Sequence, residues 1–285
     1  MLLYEKIIIE EEHLSVLKNL VETYKTIAIS TARRVRTSVL ENRAFHFGLD
    51  KWFQGVKRAY EAEAGKKSRK NSSPAFITRN GKTIFVLLSA NTGLYGDILR
   101  NIFDVFGGEL RKNKADVAIA GRIGTKFFEE KFPGRTFKYF DLPDNVVPAE
   151  KIHEITEYLR HYEKVVVFHG RFKNIIMQEA ATSVVTGDMP EFSAAAPLVK
   201  FLFEPSIEAV ARFFETEIFS SLLGQVFHES RLAKVTSRML LLDKADQNII
   251  EAQKNTKFLK NQIYHQAENK RQVNLTVALT QSYIL

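Results

Sequence analysis

Between Gln225 and Leu285 the chain contains no glycine and no proline, and all seven prolines lie between Pro74 and Pro205. These two residues are the strongest interrupters of helices. Both ends are therefore expected to be long unbroken helices, and the middle a punctuated globular domain. At about 1.5 Å rise per residue, the last sixty-odd residues would extend roughly 90 Å as one helix. A helix of that length needs a partner helix, and it reaches something far from its own core.

The N-terminal segment supplies a partner. From about Glu11 to Tyr60 it reads as helix, with Leu14, Leu17, Val21, Tyr24, Ala28, Thr31 and Val35 at alternating steps of three and four. That is the spacing of a coiled-coil seam. The C-terminal helix begins near Ser206, with a bend expected at Gly224. Its seam reads Leu232, Val235, Met239, Leu242, Ala245, Ile249, Ala252, Thr256, Leu259 and Ile263, with one extra step of three at Leu242–Ala245 that would alter the winding.

Residues 65–75 form a basic, polar linker, and beyond it the pattern changes. Thr83–Ser89, Asp116–Ala120 and Lys164–His169 are runs suited to buried strands, and Thr136–Leu142 suits a further one. Helices are expected over Gly96–Lys112, around Lys126–Lys131 and over Pro148–Tyr162. Such alternation predicts a mostly parallel sheet covered by helices on both faces. Met177–Val185 and Leu198–Phe203 suit late, antiparallel strands. The expected fold is thus α/β: a long antiparallel coiled coil of residues 1–64 and 206–285 carrying a Rossmann-like α/β domain over 76–205.

Composition excludes several classes. Cysteine is absent, so disulfides and thiolate metal sites are excluded. No eighteen-residue apolar run suggests a membrane span, and the N-terminus lacks the order of a signal peptide. The net charge of +8 suits an acidic partner. Without an RRM, zinc-finger or helix-turn-helix pattern, an acidic protein surface is favoured over nucleic acid.

A search for chemistry finds little. The loop Ser89–Asp97 follows the first strand and holds Gly93 and Gly96, but matches neither G-x-G-x-x-G nor a P-loop. Asp97 would repel a phosphate there and suits the helix N-terminus instead. Gly121-Arg-Ile-Gly124 reads as a structural turn. The seven histidines are dispersed; only His169, at the end of a strand, stands at a favoured catalytic address, and no acid or nucleophile pattern accompanies it. No cofactor or metal site is expected, and the chain reads as a mechanical or binding part. Its last seventeen residues, 269–285, have no acidic group and turn apolar through Val273, Leu275, Val277, Leu279, Tyr283, Ile284 and Leu285. An exposed apolar tip on a basic shaft needs a protein socket.

Several ordered motifs sharpen this picture. Lys25-Thr-Ile-Ala-Ile-Ser-Thr-Ala-Arg33-Arg34, the Gly93-Leu94-Tyr95-Gly96 loop, Gly121-Arg-Ile-Gly124, Phe172-Lys-Asn174 with Gln178-Glu179, Phe203-Glu-Pro205, Ser237-Arg-Met239, and Arg271-Gln272 with Leu275-Thr276 occur in sequence. Together they resemble the gamma-subunit family of F-type ATP synthases, the central rotor stalk of the catalytic head. Departures mark a divergent branch: Tyr95 stands for the family's cysteine, Tyr24 for its early methionine and Ala278 for its late acid. The stretch Met239–Arg271 looks about two turns longer than the common bacterial form.

The resemblance implies a non-catalytic subunit inside an alpha3beta3 hexamer. Its partners would be the alpha and beta subunits, the epsilon subunit and the membrane c-ring. Its rotation would couple ATP synthesis or hydrolysis at beta subunits to ion translocation. It implies rotor–stator contacts at Lys25, Arg33, Arg34, Arg238, Arg271, Gln272 and Thr276, an apolar tip at Val273, Leu275, Val277 and Leu279, and a peripheral location at the cytoplasmic face of a bacterial plasma membrane. Two other readings stay open at this point: a gamma-like shaft used for another mechanical task, and an α/β enzyme with dimerising helical arms.

Overall fold

A computed structural model describes residues 2–64, 79–144, 148–185, 204 and 206–282. The elements in chain order are α1 (Leu2–Ala64), β1 (Thr83–Leu88), α2 (Ile98–Lys112), β2 (Asp116–Ala120), α3 (Arg122–Lys131), β3 (Lys138–Phe140), α4 (Ala149–Leu159), β4 (Lys164–Phe172), β5 (Gln178–Val185) and α5 (Ile207–Ser282). The linker 65–75, the expected strand Leu198–Phe203 and Tyr283–Leu285 lie outside the described residues. The chain divides into two compact units, one of residues 1–29 with 239–285, the other of residues 30–238.

In the larger unit the five strands form one sheet in the order β3-β2-β1-β4-β5. β1 pairs in parallel with β2 and β4, β2 pairs in parallel with β3, and β4–β5 is an antiparallel hairpin. The central strands β1, β2 and β4 carry buried apolar runs because both of their faces are covered, the usual state of parallel strands. Phe85, Leu87, Val117, Ile119, Val166 and Phe168 point to one face and pack with α2 through Ile98, Ile102, Phe103 and Phe106. Ile84, Val86, Ala118, Val165 and Val167 point to the other and pack with Ile155 and Leu159 of α4 and with Phe219, Leu223 and Phe227 of α5. Part of the terminal helix is thus a third layer of the α/β core. A small cluster of Val35, Val39 and Leu232, joined by Phe172, packs α1 against α5 and the hairpin in the same unit.

The structure corrects several boundaries. α1 starts at Leu2 rather than Glu11, and Ile7 in the added turns is buried. α3 starts at Arg122, directly after β2, and β3 shrinks to Lys138–Phe140. β4 continues to Phe172 through its pairing with β5, so His169 lies inside the strand rather than at its end. α5 runs as one helix through Gly224.

In the smaller unit α1 and α5 pair as expected, but with a different seam. On α1 the less exposed positions include Ile7, Glu11, Leu14, Lys18, Val21, Lys25 and Ala28, a regular heptad. Leu17 and Tyr24, expected in the seam, are 49% and 46% exposed. On α5 the corresponding positions are Leu242, Asp246, Ile249, Gln253, Thr256, Lys260 and Ile263. The expected positions Ala245 and Ala252 are half-buried as well, while the pairing with α1 runs through Asp246. Each helix contributes one mainly apolar column and one polar column.

Candidate functional site

Two features have the geometry of a working surface. The first is the paired-helix unit. Nζ of Lys25 donates to Asp243 Oδ1 and, at 3.4 Å, to Asp246 Oδ2. Nζ of Lys260 donates to Glu11 Oε2 at 2.6 Å. Going from Glu11 to Lys25 along α1, the partner retreats equally from Lys260 to Asp246 along α5, so the helices are antiparallel and in register. Hydrogen bonding to Asp243, opposed in part by burial, raises the pKa of Lys25 and keeps it charged. Polar residues at seam positions fix register at some cost in stability. The polar columns of the two helices interlock in this way.

The outer surface of this unit is apolar as well as charged. Ile9, Val16, Leu17, Leu20 and Tyr24 are between 46% and 64% exposed. Further along α5, Val273, Leu275, Val277 and Leu279 are exposed too. Arg271, Gln272 and Thr276 lie among them on the surface, and Thr276 Oγ1 donates to the Gln272 carbonyl.

The second feature is a clamp in the larger unit, where one face of α5 grips the loop after β1. Nζ of Lys234 donates to the Ser89 carbonyl at 2.6 Å. Ser237 Oγ donates to the Tyr95 carbonyl at 2.6 Å. Nη2 of Arg238 donates to Thr92 Oγ1 and to the Gly93 carbonyl, and its guanidinium lies 4.0 Å from the centre of the buried Tyr95 ring. That is a close cation–π contact. Positions 234, 237 and 238 share one helical face. Two sequence motifs found 140-odd residues apart, the Gly93–Gly96 loop and Ser237-Arg-Met239, therefore bind each other.

The loop's own backbone is occupied. Asp144 accepts from the amides of Asn91 and Thr92 and from the Thr92 hydroxyl. Asn91 accepts from the Arg122 amide and donates to Asp141 and the Leu142 carbonyl. The amides that would cradle a phosphate in a nucleotide-binding loop thus hold a carboxylate of the same chain. Asp97 caps α2 without a side-chain hydrogen bond. Gly121, at φ +100°, lets the chain pass so close that a Cβ would lie 2.6 Å from the Ala90 nitrogen, and a Cβ on Gly124 would lie 2.7 Å from that of Ser89.

The remaining candidates fall as follows. His169 is wholly buried: its Nδ1 donates to the Gly170 carbonyl and its Nε2 accepts from Ser183 Oγ. Burial lowers its pKa to about 4, so the ring is neutral and has a structural part. Arg33 and Arg34 are exposed on α1. Lys25 and Arg238 have partners within the chain, which their sequence positions gave no means of finding. Among the described residues, no group of acidic and histidine side chains could hold a metal ion, and no helix is long and apolar enough to cross a membrane.

An α/β core built around part of a terminal helix, continuous in sequence with an antiparallel helical pair whose outside carries exposed apolar side chains, is the architecture of a stalk component. The chain belongs to the ATP synthase family, which it matches over residues 12–276. It is similar to the ATP synthase gamma chain of Pelotomaculum thermopropionicum, with 24% identity over 245 residues that cover 81% of this chain and 82% of that one. It is equally similar to the gamma chain of Chloroherpeton thalassium, 24% identical over 260 residues, covering 82% and 83%. Among solved structures, a chain of the Tetrahymena thermophila mitochondrial ATP synthase central stalk and c-ring shares the fold. The TM-score is 0.59 at 16% identity, covering 79% of this chain and 99% of that one.

Proposed function

We propose that this chain is a divergent gamma subunit, the central rotor shaft of an F-type ATP synthase or ATPase. The observation that carries this reading is the pairing of α1 with α5, fixed in antiparallel register by Lys25–Asp246 and Lys260–Glu11, within a chain of the ATP synthase family. Two of its relatives are gamma chains. A shaft needs stiffness, a register that does not slip, and an outer surface for the subunits around it.

In this reading the shaft (residues 1–64 and 206–285) turns inside an alpha3beta3 hexamer, and its angle sets which beta-subunit site is open. Residues 76–205 form the globular part, completed by the stretch of α5 that packs on the sheet, with 65–75 as the link, and the epsilon subunit and membrane c-ring bind the chain as well. Gamma itself makes and breaks no bond. The hexamer covers the apolar stripe of α1 and the tip formed by Val273, Leu275, Val277 and Leu279, which would otherwise favour aggregation. Arg33, Arg34, Arg271, Gln272 and Thr276 meet the hexamer directly. Lys25 and Arg238 act through the acidic and aromatic neighbours that hold them. The complex sits peripherally at the cytoplasmic face of a bacterial plasma membrane.

Affinity purification of the tagged chain from its own cells tests the proposal. Retention of alpha and beta subunits, with ATP hydrolysis that drives rotation of the tagged chain, is expected. Removing Arg271–Leu285 should leave assembly intact and lower torque or coupling. A chain that retains no alpha or beta subunit, or that turns over a metabolite alone, overturns the reading.

A further inference from the structure

Beside the clamp lies a small cavity of about 20 Å³, bounded by Ser89, Asp144, Phe227, Ser230, Arg231 and Lys234 among others. It lies at the carboxyl ends of β1 and β2, under α5. A space of this size holds one or two water-sized particles and no nucleotide.

Its polar lining is rich in donors and poor in acceptors. Ser230 is 1% exposed, and its Oγ is buried without a hydrogen-bond partner. The Nε of Arg231 is likewise buried without one. An ammonium carries three N–H groups, and Lys234 gives one of them to the Ser89 carbonyl. Asp144, the acid in the lining, has both carboxylate oxygens engaged by Asn91 and Thr92.

Charge points the same way. Arg231 and Arg238 repel Lys234, Arg34 repels Arg231, and among the described residues Asp144 is the one acid that acts on Lys234. Burial pulls the Lys234 amine down to about 8, so it remains largely charged at neutral pH. Uncompensated buried charge and orphaned buried donors are costly and call for a counter-group.

We propose that this cavity binds a small inorganic anion of halide size, held by the Lys234 ammonium, the Arg231 Nε–H and the Ser230 hydroxyl. A water molecule has two lone pairs and no charge, so it would leave the excess positive charge in place. A halide accepts from all three donors and offsets that charge. The bound anion would fasten α5 to the ends of β1 and β2 beside the clamp, whatever the chain does in a larger assembly.

The test uses the full-length chain in chloride, bromide or gluconate at equal ionic strength, gluconate being too large for the cavity. Chloride and bromide are expected to raise the melting temperature by about 2–4 °C over gluconate. That gain should vanish in Lys234→Met and shrink in Ser230→Ala. Crystals soaked in bromide should show an anomalous peak between Lys234 and Arg231; this measurement needs no variant. Equal melting in the three salts, an undiminished halide gain in Lys234→Met, or only water in the bromide-soaked cavity would each overturn the proposal.

Discussion

Lys260 and Glu11 stand 249 positions apart in sequence, and Nζ of one lies 2.6 Å from Oε2 of the other. Opposite charge in α1 and α5 thus meets at a seam position rather than on an outer face. Glu11→Lys should lower the melting temperature of the chain by about 1–3 °C, and adding Lys260→Glu should recover most of the loss. A double-mutant cycle checks this. Independent effects of the two substitutions would mean that the pair does not act as a unit. High salt should weaken the coupling, since both side chains are partly exposed.

Gly121 separates two sources of glycine requirement. Gly121→Ala places a Cβ 2.6 Å from the Ala90 nitrogen at a φ of +100°, whereas at Gly134, with φ +79°, a Cβ meets nothing within 4 Å. Gly134→Ala should cost roughly 1 kcal/mol from backbone strain alone, and Gly121→Ala roughly 3 kcal/mol or more. Urea unfolding of the two variants measures both. Equal losses would show that the close approach to Ala90 relaxes freely.

His169 makes stability depend on pH. Its folded pKa is about 4, below the ordinary 6.5, chiefly because of burial. Between those values the unfolded chain binds the proton and the folded chain does not. The contribution is complete above about pH 6.5 and is lost as pH falls towards 4, by up to roughly 3 kcal/mol. His169→Asn should flatten this part of the profile. Nitrogen NMR at pH 6 should find a neutral ring protonated at Nδ1, the tautomer its hydrogen bonds require.

Arg238 joins a stacking contact to two hydrogen bonds. Arg238→Lys keeps the charge but loses the planar fork. It should destabilise the chain by about 1–2 kcal/mol and speed amide exchange in residues 91–96 before exchange elsewhere in the sheet. Uniform protection across both would show that the loop is held by Asp144 alone.

The centre of the sheet was readable in the sequence because its strands there are buried on both faces. Runs such as Thr83–Leu88 and Lys164–Phe168 have few competing interpretations. The phase of the coiled coil was harder. α1 has more apolar residues than one seam can bury, so Leu17 and Tyr24 looked like better seam residues than Lys18 and Lys25. What decides the phase is the acidic groups opposite, Asp243 and Asp246, and a single-helix pattern does not contain them. The clamp was invisible for a related reason. Each motif looked like a separate local signature, and their contact exists only once α5 lies over the sheet. His169 shows the converse error: an apparent strand end became an interior position when β5 paired alongside it.

The polar column has a mechanical consequence for sliding. An apolar heptad looks the same after a shift of seven residues, so apolar contacts alone would let the two helices creep past each other like a worn thread. With charges interleaved, a one-heptad shift would set Glu11 against Gln253 and Lys25 against Met239, or Glu11 against Ala267 and Lys25 against Gln253. Either shift separates both ion pairs at once. The two helices can therefore be twisted together about a common axis while resisting telescoping along it.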